Sequence, residues 1–294
     1  MAEPITVAVR RGGTVEARHV VHAVAVRDGA VVAEAGDGAL LTFMRSSAKP
    51  IQALPLVRSR PDLEVRELAI ASASHLADPQ QVGAVRSLLA KAPAQEDELE
   101  CGEEGDPPSR IRHNCSGKHA GFLALSRARG WDSRGYRLPE HPVQQTMLAE
   151  VAAAAEVAER EIPTAVDGCG VVNFALPLER IAYAFSRFAS LEGGDRVAAA
   201  MRANPRLIRG PGAPDTVIME SLDGWIAKGG AEALLCAAGP DGTGIAVKVV
   251  DGGQRAVGPA AAAFLRRLGA PVDPLEEAPV VNSRGDVVGS IRAD

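Results

Sequence analysis

Aromatic residues are scarce, at 3% of 294 positions, so Ala, Val and Leu must supply most of the packing in a composition that is 46% apolar. There is no unbroken apolar run near the roughly 18 residues a membrane-spanning helix needs, so none is expected. Positive charge is not in excess. The formal net charge is −5, which argues against nucleic acid and an anionic membrane surface as partners. The start, Met1-Ala2-Glu3-Pro4-Ile5, has no basic region followed by an apolar stretch. No signal peptide is read there, and a cytoplasmic location is expected. Cysteine is sparse too. Cys101, Cys115, Cys169 and Cys236 in a chain of this length point to reduced thiols, not a disulfide framework. No internal repeat or long low-complexity tract is present.

The length suits one large domain or two small ones. Residues 1–45 read as strands. His19–Val26 and Ala30–Ala33 flank Asp28-Gly29, a strong hairpin signal, and Leu40–Phe43 follows. From Pro50 to about Leu191 the pattern is mostly helical: Gln80–Leu89, Lys118–Arg129 with Ser116 as its N-cap, Pro142–Arg160 and Leu178–Leu191. Strand signals return at Ala233–Ala237 and Ile245–Val250, around a turn at 240–244. A helix at 258–268 and a last hairpin, Pro279–Val281 with Val287–Ile291, complete the chain. If both strand groups share one sheet, the helices must pack on its faces or form a lobe beside it.

Five segments carry candidate chemistry. In Arg45-Ser46-Ser47-Ala48-Lys49-Pro50, Ser46 and Lys49 stand one helical turn apart. A hydroxyl needs a base beside it, and a lysine desolvated into its neutral form can be that base. The helix start adds free N–H groups for an oxyanion. The pattern is common, however, and equally describes a capping serine beside a solvated lysine. Ala71-Ser72-Ala73-Ser74-His75 offers a second hydroxyl, or an ordinary turn. His113-Asn114-Cys115-Ser116-Gly117-Lys118-His119 and Asp167-Gly168-Cys169-Gly170 each hold one thiol in a Gly-bearing loop. Together they could share a soft metal ion, or be two unconnected buried thiols. Lys228-Gly229-Gly230-Ala231-Glu232 comes before Lys248-Val249-Val250-Asp251-Gly252. There Lys248 sits in an apolar strand, either reaching solvent from an edge or pointing into a site.

In this order the segments resemble the zinc-associated bacterial L-asparaginases of the rhizobial inducible type (the L-asparaginase II family), over nearly the whole chain. The resemblance implies a single catalytic domain, 1–294. It implies a mixed α/β fold akin to serine β-lactamases and glutaminases, with a central, mostly antiparallel sheet flanked by helices and a helical lobe. It implies two Ser–Lys tandems, Ser46 with Lys49 and Ser74 with Lys248. Arg45 and Asp167 would support the substrate site. A Zn2+ ion would be held by Cys115, Lys118 and Cys169, and the protein would be a homodimer. The implied substrate is L-asparagine. Ser46 would attack the side-chain amide carbon, Lys49 would take its proton, and Ser74 and Lys248 would relay protons to the departing ammonia.

Two departures bear on substrate more than on reaction class. Leu76-Ala77-Asp78 stands where the family has Ser-Gly-Glu, and Val172 stands where a proline is usual. A glutaminase, a penicillin-recognising hydrolase of the same fold and a non-catalytic zinc- or ligand-binding member stay open as alternatives. Ser-Asp-Asn is absent, and Lys228-Gly229-Gly230 only approximates the Lys-Thr-Gly element of the penicillin-recognising enzymes.

Overall fold

The computed structural model describes residues 2–294. Three strands open it as consecutive antiparallel hairpins: β1 (Ile5–Arg11), β2 (Thr14–Arg27) and β3 (Ala30–Ala35). Asp28 and Gly29 both take left-handed backbone angles, φ 51° and 78°, as a tight turn matched to the strand twist demands. β4 (Leu41–Phe43) leads directly into a one-turn 3-10 helix, Arg45–Ala48.

The chain then becomes helical: α1 (Lys49–Gln52), α2 (Leu54–Ser59), α3 (Val65–Ala71), α4 (Pro79–Lys91), α5 (Ser116–Ala128) and α6 (Pro142–Ala155). Asp78 caps α4 by accepting from the N–H groups of Gln80 and Gln81, with Pro79 at the first helical position. α5 starts at Ser116, the residue expected to cap it, so the cap lies one residue earlier. Cys115 takes the capping position, and Ser116 Oγ instead meets His75 Nε2 at 2.8 Å and donates to Ile111 O.

β5 (Thr164–Val166) and β6 (Val172–Pro177) interrupt the stretch expected to be helical, and form a small sheet in the order β4-β6-β5. β5 is three residues long, and β6 is buried on nearly every residue, so neither shows the alternation that marks a half-buried strand. Next come α7 (Leu178–Ser186), α8 (Gly194–Ala203), α9 (Pro205–Ile208), α10 (Pro214–Ser221), β7 (Ile226–Gly230), β8 (Leu234–Ala238), β9 (Gly244–Val249), α11 (Val257–Arg267), β10 (Glu277–Val281) and β11 (Val287–Ala293).

The main sheet runs β10-β11-β1-β2-β9-β8-β7, with β3 also on β2, and every pairing is antiparallel. Val7 on β1 faces Ala293 on β11, so both ends of the chain enter one sheet. β9 is buried throughout, which requires cover on both faces. α7 lies over β2, β8 and β9, so close that a Cβ on Gly244 would sit 2.1 Å from Ser186 N. α11 packs on β1, β9 and β11. α10 packs on β7, and the other helices form the lobe beside the sheet. The architecture is the mixed α/β one expected, an antiparallel sheet flanked by helices with a helical lobe. Among the described residues, no helix is long and apolar enough to cross a membrane.

Candidate active site

A cavity of about 480 Å³ opens where β7 meets the Arg45–Ala48 turn. Ser46, Ser74, Asn114, Arg209, Asp215, Lys228 and Gln254 supply its polar lining. Arg45 stands in the left-handed region, φ 48°, immediately before Ser46. Strain of this kind in a residue other than glycine persists only where the surroundings enforce it. Here Arg45 N donates to Asn173 Oδ1 at 3.0 Å and Arg45 Nε to Asp167 Oδ1 at 2.7 Å. The Arg45–Asp167 pair thus fastens the Cys169 loop to the serine turn.

Lys49 is completely buried. Its Nζ donates to Ala73 O at 2.6 Å and to Ser74 Oγ at 2.9 Å. Burial depresses its pKa; the Cys115 thiol opposes that, and the Lys118 charge adds to it. The first lysine therefore bridges to the second serine, and among the described residues no hydrogen bond joins its amine to Ser46.

Lys228 is the lysine that lines the cavity. It too is fully buried, donates to Gly229 O at 2.5 Å, and lies 3.6 Å from the Asp215 carboxylate. Burial lowers its pKa to about 8, aided by Lys49 and Arg209 and opposed by Asp215. Asp215 is itself buried and accepts from Gly229 N at 3.1 Å. Arg209 donates to Ser74 O at 2.9 Å.

Lys248 is not brought to Ser74. β9 lies between β2 and β8, so Lys248 is no edge-strand lysine. Its amine turns along the sheet to donate to Glu232 O at 2.7 Å and to Val249 O, beside the carboxylates of Glu232 and Asp251. Lys228, not Lys248, lines the cavity with Ser74. Its signal was the Lys228-Gly229-Gly230 run. Asp215 and Arg209 carried none, because a loop and a helix start distant in sequence bring them in.

Cys115, Lys118 and Cys169 do converge. Lys118 Nζ donates to Cys169 Sγ at 3.2 Å, and the two thiols are close enough to share a proton. The hydrogen bond from Cys169 draws the Cys115 thiol well below its ordinary range, against the cost of burial and with help from Lys49 and Lys118. The same bond, with burial, raises the Cys169 thiol well above its ordinary range. Burial would neutralise Lys118, but Cys169, Cys115 and Asp167 outweigh it and keep the amine charged. Two sulfurs and one nitrogen at one point suit a soft divalent cation. Among the described residues, no three His, Cys, Asp or Glu side chains meet so as to hold a metal ion, and the third donor beside these two thiols would be Lys118.

A family model described as L-asparaginase II matches residues 7–293. Comparison with curated protein sequences gave no match. Among solved structures, the chain is similar to a probable glutaminase from Bacillus subtilis complexed with 6-diazo-5-oxo-L-norleucine. The identity is 13%, with 86% of this chain and 85% of that one covered and a TM-score of 0.39. It is also similar to unliganded simvastatin synthase from Aspergillus terreus, at 13% identity, covering 84% and 88%, with a TM-score of 0.36.

Proposed function

The chain belongs to the L-asparaginase II family, and from that premise we propose that it hydrolyses L-asparagine to L-aspartate and ammonia through a serine activated by lysine. One observation carries this reading. Two serines and the buried Lys228, its pKa lowered, line one cavity, and the buried Lys49, its pKa also lowered, is hydrogen-bonded to one of those serines, Ser74.

Ser46 is the attacking hydroxyl. Lys49, one turn on and held toward its neutral form, takes the hydroxyl proton as the C–O bond to the amide carbon forms. The Lys49–Ser74 hydrogen bond gives that proton a path to the leaving nitrogen, so ammonia departs as a neutral amine. Water then adds to the acyl ester, with the same groups working in reverse. Lys228, when protonated, supplies positive charge against the oxyanion.

Cys115, Lys118 and Cys169 would hold a zinc ion, which when bound would cross-link the start of α5 to the Cys169 loop. To bind it, the protein must release the protons of Cys169 and Lys118. A homodimer in the cytoplasm completes the reading.

The deciding experiment is ammonia release from asparagine, glutamine and a β-aspartyl dipeptide, for wild type, Ser46→Ala and Ser74→Ala. Asparagine should be the preferred substrate, and Ser46→Ala should be inactive. Wild-type turnover by Ser46→Ala would exclude it as nucleophile.

A further inference from the structure

The turn between β7 and β8 holds two consecutive residues in the left-handed region, Glu232 at φ 58° and Ala233 at φ 52°. Neither is glycine, so the turn opposes its own preferred backbone geometry. Three donors from one segment hold it. Lys248 Nζ donates to Glu232 O at 2.7 Å, Val249 N to Ala233 O at 3.1 Å, and Gln254 Nε2 to Gly230 O at 3.2 Å.

The turn is also a wall of the cavity, through Gly230 and Ala231. Gly230 lies so near the serine turn that a Cβ there would sit 2.9 Å from Met44 O and 3.4 Å from Ser47 N. A change in the turn's backbone angles moves Gly230, and with it the contact that locates Ser46.

We propose that Lys248 is a positioning residue whose amine clamps the Glu232 carbonyl, keeps the β7–β8 turn left-handed, and so fixes Gly230 against the turn that carries Ser46. The ammonium suits this role better than a neutral side chain. It reaches two carbonyls at once, Glu232 O and Val249 O, and the Glu232 and Asp251 carboxylates face it. Its cross-strand neighbours are Leu234 on β8 and His22 on β2. The effect on turnover rests on the amidohydrolase reading; the clamp itself does not.

The test measures deuterium exchange over residues 229–235, with kcat and KM for asparagine, in wild type, Lys248→Met and Lys248→Arg. Each is made with and without Glu232→Gly. Lys248→Met should speed exchange in 229–235 by about tenfold or more. Its kcat should fall by about 10²-fold, the scale expected from misplacing a reacting group by an ångström, with a smaller change in KM. Lys248→Arg, still a charged donor, should keep most of both. Glycine adopts the left-handed region freely, so Glu232→Gly should make the clamp dispensable and restore about tenfold of the kcat lost in Lys248→Met. Unchanged exchange in Lys248→Met, or an equal loss of kcat in both backgrounds, would overturn the proposal. Should Lys248→Met fail to fold, Lys248→Gln is judged by the same outcomes. If the wild type releases no ammonia from any amide, the functional reading fails, and exchange alone decides the clamp.

Discussion

The amine of Lys49 lies 2.9 Å from the hydroxyl of Ser74, a residue 25 positions further along the chain. A solvated lysine capping nothing would not be completely buried, nor would it aim at a second serine. In the proposed mechanism this contact lets Lys49 carry a proton between the attacking hydroxyl and the leaving group. Lys49→Met should lower kcat by about 10²- to 10⁴-fold, the usual worth of a general base. Lys49→Arg should be no better, because a guanidinium keeps its proton at any working pH. Steady-state kinetics on asparagine decide it, and near-normal turnover by the arginine variant would remove Lys49 from the proton path.

Lys228 places a limit on alkaline pH. Its folded pKa of about 8 lies below that of an ordinary lysine. The positive charge is therefore present below about pH 8 and lost as pH rises through that value. If that charge holds the oxyanion, kcat/KM falls along an alkaline limb near pH 8. In the proposed mechanism the acid limb belongs to Lys49, which must lose its proton to act. Lys228→Arg should shift the alkaline limb upward, since arginine stays charged. An alkaline limb that stays in place in Lys228→Arg would assign it to another group.

Local signals made the strands at both ends, the Asp28-Gly29 turn and the long helices legible in the sequence. β5 and β6 were not, because β5 is very short and β6 has no exposed face to give a period. The site was partly legible for a similar reason. Ser46, Lys49, Ser74, Cys115, Lys118 and Cys169 stand in compact motifs, and Arg45 with Asp167 are motif neighbours that pair in space. The exchange of Lys248 for Lys228 was not legible. Both are lysines in apolar strands, and the register of β7, β8 and β9 puts them on the same face of the sheet. Only the depth of each strand relative to the Arg45–Ala48 turn tells them apart.

The thiol pair predicts a pH-dependent metal site. Zinc must displace protons from Cys169 and Lys118, so affinity should weaken as pH falls, and binding should release protons. Metal analysis after dialysis should find about one zinc per chain in the wild type. Cys115→Ala, Cys169→Ala and Lys118→Met should each lose most of it. Calorimetry in buffers of different ionisation enthalpy measures the protons released. Zinc retained at the wild-type level in Cys169→Ala would rule out this donor set.

The same substitution at two glycines should move stability in opposite directions. Gly83 lies in α4 with no atom within 4 Å of where a Cβ would stand. There, alanine gains helix propensity, and Gly83→Ala should stabilise by about 0.5–1 kcal/mol. Gly117 lies in the first turn of α5, and its Cβ would come 2.1 Å from Ile70 O, a backbone atom of α3 that cannot rotate away. The helix must move, and overpacking of this kind costs about 1–3 kcal/mol or more, which outweighs the propensity gain. Thermal unfolding should therefore show Gly117→Ala below wild type and Gly83→Ala above it. The shift of α5 also carries Cys115 and Lys118 away from Cys169 and Lys49. Gly117→Ala should then lose zinc and turnover together while still folded, and Gly83→Ala should keep both. A Gly117→Ala protein as stable and as active as wild type would mean that the close approach of α5 to α3 is not what holds the site together.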